Sequence, residues 1–110
     1  MTYIFDLDNT LCKTSGSDYL QSIPIKDRIE FVNKLFRKGN KVIIYTARGM
    51  GSSGNNQIEA VQKYYSLTEQ QLKDWGLEYH SLILGKPSGD FYIDDKGIND
   101  EDFFRTNLRS

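Results

Sequence analysis

The sequence predicts an α/β protein: a mainly parallel sheet flanked by helices in a three-layer, Rossmann-like arrangement. Apolar runs with strand character stand at residues 2–7, Val42–Thr46 and Phe91–Ile93. Runs of this kind, bounded by polar residues, read as buried strands of a parallel sheet. Helical patterns lie between strands, the alternation that parallel α/β folds require. Each of the three runs also closes on reactive side chains: Asp6 and Asp8, then Thr46, then Asp94 and Asp95. Ligands of open α/β sheets bind beyond the carboxyl ends of strands, so these residues are the candidates for chemistry.

Residues 2–7 make the first strand, and Thr10 to Ile23 reads as a loop around the turn cluster Ser15-Gly16-Ser17-Asp18. Cys12 and Lys13 read as ordinary loop, since nothing nearby suggests a thiolate. Pro24 is placed to open a helix. Ile25, Ile29, Val32, Leu35 and Phe36 recur at helical spacing, which predicts a helix over 25–38 stopped by Gly39-Asn40. Lys41 to Thr46 is the second strand. The glycine-serine stretch 49–56 lacks the lysine of a phosphate loop and is expected to form a mobile rim over the site.

A helix is expected over 57–65, broken at Ser66-Leu67. Thr68 with Gln71 then reads as a capping box for a second short helix ending near Gly76, with Leu72 and Trp75 in the core. Tyr79 to Leu84 is the third strand, and His80, the sole histidine, is assigned a structural or surface role. Gly85-Lys86-Pro87 makes a sharp exit, and Asp90 to Ile93 is the expected fourth strand. In the tail, Asn99 to Ser110, Phe103-Phe104 is expected to dock on the core as a half-helix.

A chain of 110 residues predicts one domain over 1–110, burying roughly 60–70% of its unfolded surface. Its 38% hydrophobic and 26% charged residues describe a globular rather than a disordered composition. The formal net charge of −1 argues against a nucleic-acid partner held by charge. Cys12 is the only cysteine, which excludes an internal disulfide and suits a reducing compartment. No run approaches the roughly 20 apolar residues of a membrane span. A strand at the very start leaves no room for a signal peptide, so a cytoplasmic protein is expected.

If Asp6, Asp8, Asp94 and Asp95 meet at one sheet edge, their mutual repulsion constrains the chemistry. Two carboxylates about 4 Å apart repel by roughly 4 kcal/mol at an effective dielectric near 20, so the cluster demands protonation or a cation. Hard oxygen ligands without clustered histidines favour Mg²⁺, which keeps open positions suited to phosphate oxygens. Thr46 adds a neutral donor and Lys86 a positive charge for an anionic transition state. One aspartate could act as nucleophile and a second as acid and base. The residue types favour phosphoryl chemistry.

In order and placement, Asp6-Leu7-Asp8-Asn9-Thr10, Thr46, Lys86 and Asp94-Asp95 resemble the four motifs of the haloacid dehalogenase superfamily. The resemblance implies Asp6 as nucleophile, Asp8 as general acid/base, and Thr46 with Lys86 orienting the phosphoryl group. It implies Mg²⁺ held by Asp6, the backbone carbonyl of Asp8 and Asp94, with Asp95 in support. The gaps between motifs leave no room for a cap domain. Tyr45-Thr46-Ala47-Arg48-Gly49-Met50, Gly85-Lys86-Pro87 and Tyr92-Ile93-Asp94-Asp95-Lys96-Gly97-Ile98 resemble small bacterial phosphatases of capsule and surface-polysaccharide biosynthesis. A small phosphorylated substrate, a sugar or polyol phosphate, is implied. Without a cap, substrate selection falls to loops or to a neighbouring subunit in a homo-oligomer.

Ala47 and Arg48 extend the candidate substrate site, because alternation puts Arg48 on the side of Thr46 if the chain stays extended. An ion pair to a nearby acidic residue is the competing role for Arg48. Thr46-Ala47-Arg48 also has the hydroxyl-x-arginine look of polynucleotide 3′-phosphatases, against which the acidity counts. A receiver domain would put its phosphorylated aspartate on a middle strand, where this chain has Thr46. A non-catalytic binding subunit would have no need of both Asp6 and Asp8.

Overall fold

In a computed structural model, residues 1–108 are described; residues 109 and 110 of the expected tail lie outside them. The element order is β1 (Thr2–Phe5), β2 (Cys12–Lys13), β3 (Ile23–Pro24), α1 (Lys26–Arg37), β4 (Lys41–Thr46), α2 (Gln57–Asp74), β5 (Ser81–Leu84) and α3 (Asp100–Asn107). The fold is α/β: β1, β4 and β5 form a parallel sheet in the order β1-β4-β5, flanked by helices. In register, Phe5 pairs with Ile44 and Ile44 with Leu82, and all three are buried. The alternate positions are less covered, Ile4 being 63% and Ile83 41% exposed. Pleating therefore gives the sheet one dry face and one only partly covered.

The dry face is closed by α1, α2 and α3. Ile29 and Val32 of α1, Leu72 of α2 and Phe104 of α3 join Val42, Ile44, Leu82 and Leu84 in one core. Helix α1 ends as its sequence suggests: Gly39 at φ +94° donates to the Phe36 carbonyl and the Asn40 amide to that of Leu35. These two bonds satisfy carbonyls the helix leaves open, and the left-handed φ suits glycine. The α1 side chain of Asn33 reaches across to the turn after α2, donating to the Gly76 carbonyl and accepting from the Glu78 amide.

Three expectations fail. Pro24 pairs with Cys12 in a short antiparallel hairpin instead of opening α1, which starts at Lys26. Helix 57–74 is continuous across Ser66-Leu67. Its Ala60, Thr68 and Leu72 recur at multiples of four and are all buried, so one packed stripe carries the helix through. Residues 90–93 form no strand: Phe91 and Ile93 are 85% and 93% exposed. Their surroundings are tied up locally. The Tyr92 hydroxyl donates to the Pro87 carbonyl at 2.6 Å, and Asp94 Oδ1 accepts from the Lys96 and Gly97 amides. Such short-range bonds compete with a sheet ladder.

Candidate active site at the carboxyl end of the sheet

Beyond β1 the chain winds tightly around one acceptor, the Leu7 carbonyl taking the amides of Thr10, Leu11 and Cys12. Asn9 adopts φ +62° in that turn, a conformation short polar side chains tolerate. The winding aims Asp6 and Asp8 outward at the carboxyl end of β1. Next door, the Thr46 carbonyl at the end of β4 accepts from both the Gly85 and Lys86 amides at 3.2 Å. Gly85 has φ +108°, and a Cβ there would lie 2.4 Å from the Gln57 side chain. This bend delivers Lys86 to Asp6, with Nζ 3.4 Å from Oδ1, while the Thr10 hydroxyl donates to Oδ2 at 3.0 Å. Lys86 also sits over the Tyr92 ring, 4.4 Å from its centroid.

Asp6, Asp8, Thr46 and Lys86 thus share a cleft of about 560 Å³, to which Ala47 and Arg48 also belong. Its rim includes Ser17, Tyr19, Ser52, Ser88 and Tyr92, so the loop after β4 does border the site. Thr46 is 1% exposed, and its Oγ1 accepts from the Arg48 amide at 3.2 Å.

Arg48 does not reach outward. The chain turns after Thr46, the Met50 amide bonding to the Ala47 carbonyl, so the extended alternation ends there. The Arg48 side chain is fully buried and forks onto Asp8, with Nη2 2.9 Å from Oδ1 and Nε 3.0 Å from Oδ2. Behind it, Nη1 donates to Thr68 Oγ1 at 3.2 Å and to Gln71 Oε1 at 2.5 Å, and Tyr19 stacks over the guanidinium at 4.8 Å. The competing role, an ion pair, is the one observed. Thr68 and Gln71, read from sequence as a cap, are the far side of this clamp. Their three-residue spacing, one helix face, was the available signal.

Asp8 gathers further partners that sequence reading passed over. Thr14 Oγ1 donates to its Oδ1 at 2.6 Å, Ser22 pairs with Thr14 at 2.7 Å, and Cys12 Sγ lies 3.6 Å from Oδ1. Burial pushes the Cys12 thiol up, only partly offset by the Thr14 hydrogen bond. Cys12 and Thr14 are held there by the small hairpin β2–β3, which turn composition alone did not announce.

Asp94 and Asp95 stand apart. Both are exposed, neither borders the cleft, and the Lys96 and Gly97 amides hold the Asp94 carboxyl below its usual range. Among the described residues no three potential metal-ligating side chains converge. The four-carboxylate cluster is therefore not assembled here. Asp6 and Asp8 each have a cationic partner, Lys86 and Arg48, so their charges are met within the chain.

The chain superposes on the crystal structure of a structural-genomics target from Vibrio cholerae with a TM-score of 0.84. The two are 30% identical over 93% of this chain and 85% of that one. It also resembles part of the Pnkp1/Rnl/Hen1 complex, with a TM-score of 0.55 at 19% identity, over 96% of this chain and 34% of that one. The second likeness is one of fold alone. No protein-family model and no curated protein matches the chain.

Proposed function

Given that the chain belongs to one family with the Vibrio cholerae protein, we propose that it is a phosphomonoester hydrolase of the haloacid dehalogenase type. The observation that carries the reading is the pairing at the strand ends: Asp6 within 3.4 Å of Lys86 Nζ, beside Asp8 and Thr46 in one cleft. An Asp6 carboxylate oxygen attacks phosphorus while the bond to the leaving oxygen breaks. Asp8, which enters this step protonated in spite of its pairing with Arg48, gives that oxygen its proton and becomes the carboxylate. Water then attacks the aspartyl-phosphate, Asp8 takes the water's proton, and the bond from phosphorus to Asp6 breaks to release inorganic phosphate. Lys86 offsets charge on the transferred group.

The cleft wall also bears on substrate. With Arg48 turned inward, Lys86 is the cation beside Asp6, and the rim is rich in hydroxyls from Ser17, Ser52, Ser88, Tyr19 and Tyr92. A single phosphate on a neutral sugar or polyol suits that wall, as capsule or surface-polysaccharide precursors would supply. A polynucleotide end would meet little positive charge there.

Mg²⁺ remains part of this reading, with Asp6, the Asp8 carbonyl, Asp94 and Asp95 as its expected ligands. As arranged, the last two do not join the first, so the residues present do not form its cage and no step above is drawn through a cation. The test is an assay on sugar and polyol phosphates with added Mg²⁺. Asp6→Asn should keep the circular dichroism of the native chain and lose turnover by roughly a thousandfold or more. Substantial hydrolysis by the folded variant would sink the assignment, and turnover undiminished in excess EDTA would remove the cation from it.

A further inference from the structure

We infer that Arg48 is a positioning residue for proton transfer, a buried clamp that decides which oxygen of Asp8 serves the cleft. The inference rests on the phosphomonoesterase reading for the role of Asp8, but its ground is the hydrogen-bond count around that carboxylate. Oδ1 takes Arg48 Nη2 at 2.9 Å, Nε at 3.2 Å and the Thr14 hydroxyl at 2.6 Å. Oδ2 takes only Arg48 Nε, at 3.0 Å. A carboxylate oxygen offers about two lone-pair sites, so Oδ1 is saturated and Oδ2 keeps one free. Oδ2 is therefore the oxygen left free to serve the cleft.

The guanidinium cannot swing to meet a substrate without abandoning this arrangement. Thr68 and Gln71 hold Nη1, Ser22 accepts from Nη2 at 3.3 Å, and Ser22 in turn pairs with Thr14. Arg48, Asp8, Thr14 and Ser22 thus close a ring of side chains from the turn after β1, the β2–β3 hairpin and the loop after β4, backed by Thr68 and Gln71 of α2. A planar fork fixes the orientation of a carboxylate as well as its charge, which a lysine does not. The strip of α2 around Thr68 and Gln71 thereby acts on the chemistry without touching it.

Two variants test the clamp, each checked for native circular dichroism. Arg48→Lys keeps the charge and loses the fork. Gln71→Glu sets a carboxylate against the guanidinium from behind and draws it off Asp8, at the cost of the bond that Gln71 Nε2 donates to the Tyr19 carbonyl at 2.6 Å. Each is assayed with Mg²⁺ on glycerol phosphate, a poor leaving group, and on 4-nitrophenyl phosphate, a good one. On glycerol phosphate kcat should fall roughly 10- to 100-fold, a fraction of what general acid–base catalysis contributes, with KM changed by less than about threefold. On the aryl ester a burst of about one nitrophenol per active site should precede slow turnover, since only the water step still needs Asp8. A raised KM at unchanged kcat would overturn the inference in favour of a substrate contact. Equal losses on both esters without a burst would overturn it in favour of a purely structural arginine. If Arg48→Lys does not fold, Gln71→Glu alone decides by the same criteria. Wild-type protein inactive on every phosphomonoester overturns the phosphatase reading and this inference together, whereas active wild type with unaffected variants overturns the inference alone.

Discussion

Cys12 shows how a single side chain can sit against a carboxylate of the candidate site and be shielded by burial. It is fully buried, its thiol is pushed up by that burial, and its sulfur lies 3.6 Å from both the Leu7 carbonyl and Asp8 Oδ1. Only the thiolate is a good nucleophile, so the native protein should resist a maleimide at neutral pH and react promptly in denaturant. Mass spectrometry of the alkylated chain checks this; rapid modification of the folded protein would mean that the hairpin opens. Arg48 is the opposite case, a residue whose charge is fully used although none of its side chain is exposed. From sequence its two roles were both open, because the choice depends on where the chain turns after Thr46. That turn is set by the Met50 amide and the Ala47 carbonyl, not by any residue type that announces it.

At the scale of elements, periodic patterns were legible and local exceptions were not. Helix α1 and strand β4 lie within one residue of the ranges their apolar spacing predicts, and Phe104 of α3 docks on the core with 2% exposure. The sequence predicts a break in α2 because Thr68 and Gln71 imitate a cap, and only the arginine arriving from the β4 loop explains why they face inward. At 90–93 three residues of high strand propensity predict a strand, yet propensity gives way where side chains satisfy the backbone nearby. Residues 6, 8, 46 and 86 share one cleft because they stand at or just past strand ends, which the sequence pattern marks; Thr14 and Ser22 carry no such marker, and Thr68 and Gln71 only their spacing on one helix face. One fastening between elements has a measurable value. Asn33 ties α1 to the turn after α2 through two backbone groups. Asn33→Leu leaves a carbonyl and an amide without their partner, which should cost about 1–3 kcal/mol. Urea denaturation followed by circular dichroism reads the loss, and an unchanged midpoint would show that water replaces both bonds.

Across the whole molecule, the two ends of the chain meet behind the candidate site. Arg28 of α1 donates to the Thr10 carbonyl in the motif turn and to Asp100 at the start of α3, and stacks on Phe104 at 4.6 Å. Phe5 of β1 packs against both Phe103 and Phe104. The last helix therefore braces the strand that carries Asp6, and the stretch between β5 and α3 is anchored at both of its ends.

Strand β1 has β4 on one side and, among the described residues, no strand on the other. An open row of amides and carbonyls beside an outward-facing Ile4 invites another chain to continue the ladder. Purified at high concentration, the protein should form β-rich aggregates before it loses its native fold, at a rate that rises steeply with concentration. Natural sheets guard such edges with charge, and Ile4→Lys adds one at a position already 63% exposed. Light scattering during prolonged incubation should show the variant staying clear well after the parent turns turbid. Equal clouding of both would move the hazard away from β1, to the sheet's other edge at β5 or to the exposed Phe91–Ile93 stretch.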